Sequence, residues 1–317
     1  MKILVTGVAG FIGYHLTKSL LDDEFEILGI DNINAYYDQK IKNSRVALLK
    51  KYKNFTFAKI DIENRDALSR QFKSFNPQKV VNLAAQPGVR YSIINPYAYM
   101  SSNLVGFLNL IELCRNNNVL GFIYASSSSV YSGNTKIPYS VTDRVDRPLA
   151  LYGATKRANE LIAHSYSHLY ALNTTGLRYF TVYGPWYRPD MAIYLFTKNI
   201  INGKPIDVYN NGNMERDFTF IDDIVNGTRL AIEKNYNYEI FNLGNNKSEN
   251  LMDIISIIEQ EISIKANINF LPLQSGDPIK TCADISYSKK MLGFQPKIKI
   301  EVGIPRFLSW YKEYHNA

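Results

Sequence analysis

The sequence predicts an α/β fold: a doubly wound parallel sheet joined to a smaller, discontinuous α/β domain. Three observations carry this reading. Short apolar, β-branched runs alternate with helix-length stretches through the first half of the chain. Three glycines sit between the first such run and the first helix. After Tyr183 the regular alternation gives way to pieces punctuated by Gly184, Pro185, Pro189, Gly203, Pro205 and Gly212.

Each element follows in order. Strands are expected at Ile3-Leu4-Val5, at residues 25–30, 55–58 and 80–83, at Phe122-Ile123-Tyr124-Ala125, and at residues 175–180. Helical spacing fills residues 11–21, 38–51, 64–74, 96–115 and 151–171. Repeated βα units of this length imply right-handed crossovers. Beyond Tyr183, helices are expected near 190–201, 221–234, 250–263 and 301–313, with strands near 206–209 and 239–243. The first domain therefore spans 1–181, with parts of 214–245 returning to it, and the second takes most of 182–317.

Composition narrows the classes. At 317 residues, 46% hydrophobic and 21% charged, the chain can bury a large core without covalent staples. Its two cysteines, Cys114 and Cys282, have no metal-type or redox-type spacing. His164 and His168 stand four apart, but no Glu follows His164 and both lie around the helix from Tyr152, so a surface or interface role is expected and no metal. The opening MKILVTG reads as a strand and not as a secretory signal, and no apolar span reaches the about 20 residues of a membrane crossing. A cytoplasmic location is the expectation. The net charge of +7 is scattered, without a basic strip interleaved with aromatics, so no nucleic-acid partner is expected.

Gly7, Gly10 and Gly13, in GxxGxxG spacing, permit a tight turn and close approach of backbone to a diphosphate at a helix N-terminus. Asp31 ends the second strand, where a carboxylate accepts both adenosine ribose hydroxyls and repels a 2′-phosphate. Together these predict a Rossmann-like site for NAD over NADP. Asp61 and Ile62 are placed to hold the adenine edge, with a simple turn as the competing reading. Tyr152 and Lys156 are i and i+4 on one helix, hence on one face. For a phenol to act as a base near neutrality, its pKa must fall about three units, roughly 4 kcal/mol of selective phenolate stabilisation. A fixed ammonium and a cationic nicotinamide are the expected sources. With 23 tyrosines the spacing alone arises by chance; its place after the serine run Ser126–Ser129 gives it weight.

These features resemble the extended short-chain dehydrogenase/reductases, and specifically the nucleotide-sugar 4-epimerases. The runs Asp31–Asp38, Gly88-Val89-Arg90-Tyr91-Ser92, Arg188-Pro189-Asp190-Met191 and Arg216–Asp223 are most similar to UDP-glucuronate 4-epimerases. The resemblance implies reversible C4 epimerisation of UDP-glucuronate to UDP-galacturonate through a 4-keto sugar, with tightly bound NAD, serving surface polysaccharide. Tyr152, Lys156 and Ser127 then form the catalytic set. Phe11, Ile12, Asn32, Leu83, Ala84, Ala85, Asn103 and Tyr179 join the cofactor contacts. Ser128, Ser129 and Thr181 would cradle the sugar carboxylate, with Arg188 adding charge. Arg216 would bind the diphosphate, Val208 and Tyr209 would lie along the uracil, and Asp277 belongs to a second nucleotide-contact loop. Arg90 faces either the carboxylate or the phosphates, an ordinary loop arginine being the alternative. One departure is Tyr187, where the family has glycine; it is expected to narrow the sugar pocket.

The segment 126–131 holds no carboxylate, unlike that of the related dehydratases and decarboxylases, which favours epimerisation. The competing substrates are UDP-N-acetylglucosaminuronate and a neutral UDP-hexose; the competing class is a non-catalytic NAD-binding scaffold or sensor. Helices 96–115 and 151–171 resemble the pair through which relatives dimerise, which implies a homodimer.

Overall fold

A computed structural model of the chain describes residues 1–274 and 278–316. Its centre is a seven-stranded sheet, built from β1 (Lys2–Thr6), β2 (Glu26–Asp31), β3 (Phe55–Lys59), β4 (Lys79–Asn82), β5 (Gly121–Ser127) and β6 (Thr174–Tyr179), completed later in the chain. Small strands follow as β7 (Thr181–Tyr183), β8 (Ile206–Tyr209), β9 (Glu215–Arg216) and β10 (Phe218–Phe220), then β11 (Tyr238–Leu243), β12 (Glu249–Asn250) and β13 (Ile268–Leu271). The large sheet runs in the order β11-β6-β5-β4-β1-β2-β3, and every pairing is parallel. Chain order reverses between β1 and β4, so the carboxyl ends of these strands open a crevice there, where ligands bind in such folds.

Ile3, Leu4, Val5, Ile27, Val80, Val81, Phe122 and Ile123 are buried, as strands covered on both faces require. Helix starts follow local chemistry: Asp38 accepts from the Lys40 N–H, Asn64 from that of Ala67 and Asn250 from that of Met252. The helices Phe11–Asp22 and Leu151–Tyr170 have no side-chain cap. Both start beside the crevice, the first at the glycine loop and the second at Tyr152.

The expected helix at 96–115 is present as a continuous helical run from Pro96 to Asn116, with a π-helical turn inside it. Val89–Ile94 and Pro96–Tyr99 precede a π-helical turn, Met100–Val105, which leads into Gly106–Asn116. The expected strand at 239–243 is the edge of the large sheet, β11. The expected strand at 206–209 is β8, paired in parallel with β13, whereas parallel β7 with β10 and antiparallel β9 with β12 had no periodic signal. Strands of two or three residues are too short to display a period of two. Among the described residues, no helix is long and apolar enough to cross a membrane.

Candidate active site

The glycine loop is closed on itself by steric necessity. Gly7 has φ +77°, and a Cβ there would lie 2.7 Å from the Ala84 nitrogen; a Cβ on Gly13 would lie 2.0 Å from the Gly7 carbonyl. Only glycine allows both approaches. The Asp31 carboxylate accepts from the Ala9 N–H at 3.0 Å and the Ile33 N–H at 2.8 Å. Burial raises its pKa against those two bonds and the charge of Lys42. A desolvated carboxylate without a close ion pair retains capacity for hydroxyl donors, which fits an adenosine ribose. Asn32 donates to Asp61 at 2.8 Å, while Asp61 also accepts from the Glu63 N–H. The residues present thus fit NAD.

The serine run is the far wall. Ser127 Oγ accepts from the Ser129 N–H at 3.1 Å and hydrogen-bonds Tyr152. The Ser127 bond lowers the Tyr152 pKa, so the serine hydroxyl donates toward the phenol oxygen. Burial raises the Tyr152 pKa, opposed by Ser127 and by the charge of Arg188. Lys156 lies on the same helical face, yet its Nζ donates to the Ala125 carbonyl at 2.8 Å. Among the described cations, the charge of Arg188 lowers the Tyr152 pKa, while Lys156, the cation the sequence pointed to, is held at the Ala125 carbonyl. The chain by itself holds the phenol protonated.

Burial pushes Lys156 down to about 8. Below that pH the ammonium is charged in both folded and unfolded chains, so the full burial penalty applies. It fades as pH rises through about 8 and vanishes above the unfolded lysine value of about 10.4. Lys156→Met should therefore raise the Tm of NAD-free protein at pH 7, with the gain disappearing near pH 10. Melting curves at the two pH values test this; a pH-independent gain would mean that the ammonium carries no burial cost.

Arg188 is braced by Asp190, with Nε–Oδ1 at 3.1 Å and Nη2–Oδ2 at 2.5 Å, and the Tyr36 hydroxyl donates to the same carboxylate at 3.2 Å. Arg216 donates to the Glu215 and Ile279 carbonyls at 2.9 and 3.0 Å. The next residue, Asp217, is fully buried and accepts from Asn245, Ala283 and Thr219. Burial pushes its carboxyl up to about 6. Its carbonyl also receives the Thr181 N–H at 3.1 Å, so one buried acid anchors the backbone of two expected substrate contacts. The Arg90 guanidinium lies 5.0 Å over the Tyr209 ring.

Tyr152, Lys156, Arg188, Arg216, Arg90 and the serine run line one cleft of about 720 Å³, with Asp217 buried behind it. From the expected cofactor set it collects Gly7, Gly10, Phe11, Ile12, Gly13, Asp31, Asn32, Asp61, Ile62, Leu83, Ala84, Ala85, Tyr152, Lys156 and Tyr179. From the substrate set it collects Arg90, Ser127, Ser128, Ser129, Thr181, Arg188, Tyr209 and Arg216. Two expected residues do not line it. Asn103 is buried behind the wall, accepting from the Gln86 N–H and donating to the Gln86 carbonyl and Thr155 Oγ1, so its amide is fully committed. Val208 is buried in the core, because the pleat of β8 turns Ile206 and Val208 inward and Asp207 and Tyr209 toward the cleft. Asp277 lies outside the described residues.

Tyr187 does line the cleft, but its ring is buried edge-on to Phe11 (5.1 Å) and Phe307 (6.2 Å). Sequence reasoning missed Lys42, Tyr36 and Asp190 as individual contributors. Lys42 is placed by donating to the Asn34 carbonyl and side chain, and burial lowers it to about 8. No local spacing announces this, because Asn34 lies outside the helix Gln39–Leu49 that carries Lys42.

Comparison with known proteins agrees with this geometry. Residues 3–244 match the model of the NAD dependent epimerase/dehydratase family. An uncharacterized protein of Methanocaldococcus jannaschii is 53% identical over 98% of this chain and 96% of its own length. A probable UDP-glucuronate 4-epimerase of Rhizobium meliloti is 41% identical over 100% of this chain and 98% of its own. The crystal structure of UDP-glucuronic acid 4-epimerase from Bacillus cereus, in complex with UDP-glucuronic acid and NAD, superposes with a TM-score of 0.94. It is 36% identical, over 99% of this chain and 100% of that one.

Proposed function

The chain belongs to the NAD dependent epimerase/dehydratase family, and from that premise we propose that it interconverts UDP-glucuronate and UDP-galacturonate by inversion at C4. The observation that carries the reading is the Ser127–Tyr152 hydrogen bond, set in a cleft whose opposite wall is the phosphate loop, with no carboxylate between Ser126 and Tyr131. NAD, the cofactor, supplies a reversible hydride acceptor when bound. Tyr152 takes the proton of the 4-hydroxyl, and Ser127 steadies the phenolate through its directed O–H. Lys156 and Asp31 hold the two riboses of the cofactor. Residues after 182 carry most of the UDP contacts.

A 4-keto uronate is a β-keto acid and loses carbon dioxide when its carboxylate aligns with the ketone. Ser128, Ser129 and Thr181 hold the carboxylate in a polar cradle and out of that alignment. Replacing Ser128 and Ser129 together by alanine should increase carbon dioxide release per epimerisation severalfold; unchanged partitioning would remove the cradle from the account.

Gly153 sets how closely the base approaches the serines. A Cβ there would lie 2.5 Å from the Ser129 carbonyl, a backbone atom that cannot swing away. Gly153→Ala should lower kcat about a hundredfold by displacing Tyr152, with UDP-sugar affinity largely kept. Steady-state kinetics with ligand titration tests the split.

The function is tested by incubating the enzyme with a panel of UDP-sugars, without added NAD, and following C4 inversion. A second reading, a neutral UDP-hexose or UDP-N-acetylglucosaminuronate, is favoured by the Arg188–Asp190 pair, since that carboxylate already meets the charge offered to a uronate. Turnover of UDP-glucose but not UDP-glucuronate would select a neutral sugar, and absence of all turnover would select a scaffold.

We also propose a homodimer. Ile93, Ile94, Tyr97, Val105, Leu108, Leu161 and Leu169 are exposed along the segment 89–116 and the helix Leu151–Tyr170, an apolar set suited to packing against its own copy. Analytical ultracentrifugation tests this, a monomer at micromolar concentration excluding it.

A further inference from the structure

Tyr152, Lys156 and Glu160 fall at i, i+4 and i+8 of the helix Leu151–Tyr170, one stripe facing the sheet. Each meets a different residue at the end of β5. Tyr152 bonds Ser127, and Lys156 Nζ donates to the Ala125 carbonyl at 2.8 Å. Ser126 Oγ donates to Glu160 Oε1 at 2.6 Å.

Glu160 is fully buried and has no role in the chemistry above. Its carboxylate takes a bidentate pair from Arg178, Nε and Nη2 both at 2.8 Å, and a third bond from Arg157 at 3.0 Å. Arg178 is the β6 residue in register with Ser126, and Asn242 is in register with Arg178 on β11. One polar row therefore crosses three strands, with Tyr131 bridging Arg178 (2.6 Å) and Asn242 (2.8 Å). A buried ion pair adds little net stability over an apolar row of equal volume. What it does impose is geometry, because only one helix-to-strand register satisfies every bond at once.

We propose that Glu160 is a positioning residue: through Ser126 on β5 and Arg178 on β6 it sets the separation between Ser127 and Tyr152. The role rests on the assignment of Tyr152 as base. Ser126 precedes Ser127 directly, so a slip of the helix by a fraction of a turn moves the phenol from its hydroxyl while leaving the cleft intact.

The test uses the full-length NAD-bound enzyme and Ser126→Ala, which removes the link to β5 but keeps the Glu160–Arg178 pair. The expected result is a kcat about tenfold lower, KM within twofold, and an apparent pKa of the base limb of the kcat profile raised by about one unit. Ser126→Thr, which restores the hydroxyl, should return both toward the parent. Glu160→Gln should shift the same profile in the same direction. A lower Tm with unchanged kcat and profile would overturn the proposal, leaving the row a purely structural device.

A second readout needs no substrate. The Tyr152 ionisation step, read by ultraviolet phenolate absorbance as the difference from Tyr152→Phe, should rise in Ser126→Ala. If the parent turns over no UDP-sugar and the step still rises, the epimerase reading fails and the positioning role stands. If the parent turns over and the step does not move, the positioning role fails alone.

Discussion

Tyr152→Phe should lower kcat by about three orders of magnitude while NAD stays bound and UDP-sugar affinity changes little. The expectation follows from what surrounds the phenol. Ser127 donates its only proton there, while its oxygen accepts the Ser129 amide. The neighbouring phenol, Tyr99, has its ring centroid 6.0 Å away, and its hydroxyl donates to the Pro87 and Gly88 carbonyls. That proton is engaged, and burial raises the pKa of Tyr99 well beyond the neutral range. Segment 126–131 supplies no carboxylate, and the Asp190 carboxylate is tied to Arg188 and Tyr36. No other described group is placed to take the proton, so loss of one oxygen atom should remove the proposed base and leave the ring's packing. Steady-state rates with matched binding titrations decide the matter: a loss below tenfold would mean another base.

Arg178→Met should be the most destabilising single change among those considered. It leaves the buried Glu160 carboxylate without its bidentate partner, a situation that costs about 3–5 kcal/mol. Arg157 still reaches Glu160 Oε2 at 3.0 Å, which places the expectation at the lower end, a fall in Tm on the order of 10 °C. Replacing both partners by methionine should recover most of that loss, because no charge is then stranded. Thermal melts of the single and double variants make the comparison. A double variant as unstable as the single would show that the ion pair itself carries net stability.

Much of the fold was legible because its signals are local. The helices at 11–21, 151–171 and 221–234 appear within a residue of the expected bounds, since helical spacing and strand-end chemistry are properties of neighbouring residues. The glycine loop was legible for the same reason: Gly7 and Gly13 are demanded by contacts the loop makes with itself and with the backbone after β4. Asn103 and Val208 misled for complementary reasons. Asn103 has the chemistry of a ligand but sits behind a wall, at a π-helical turn no periodicity announces. Val208 has the right neighbours but the wrong parity, and parity is set by which face of β8 meets the core.

By itself, then, the order of residues determined the βα alternation, the glycine turn, the acid that follows it and the spacing of Tyr152 to Lys156. Tertiary structure alone decided which cation acts on that phenol, that Asp190 braces Arg188, and that Ser126, Arg178 and Asn242 align in one buried row. The reason is physical: spacing along a chain constrains directions over a turn or two. Sheet order, by contrast, joins residues more than a hundred positions apart only once the whole core has closed.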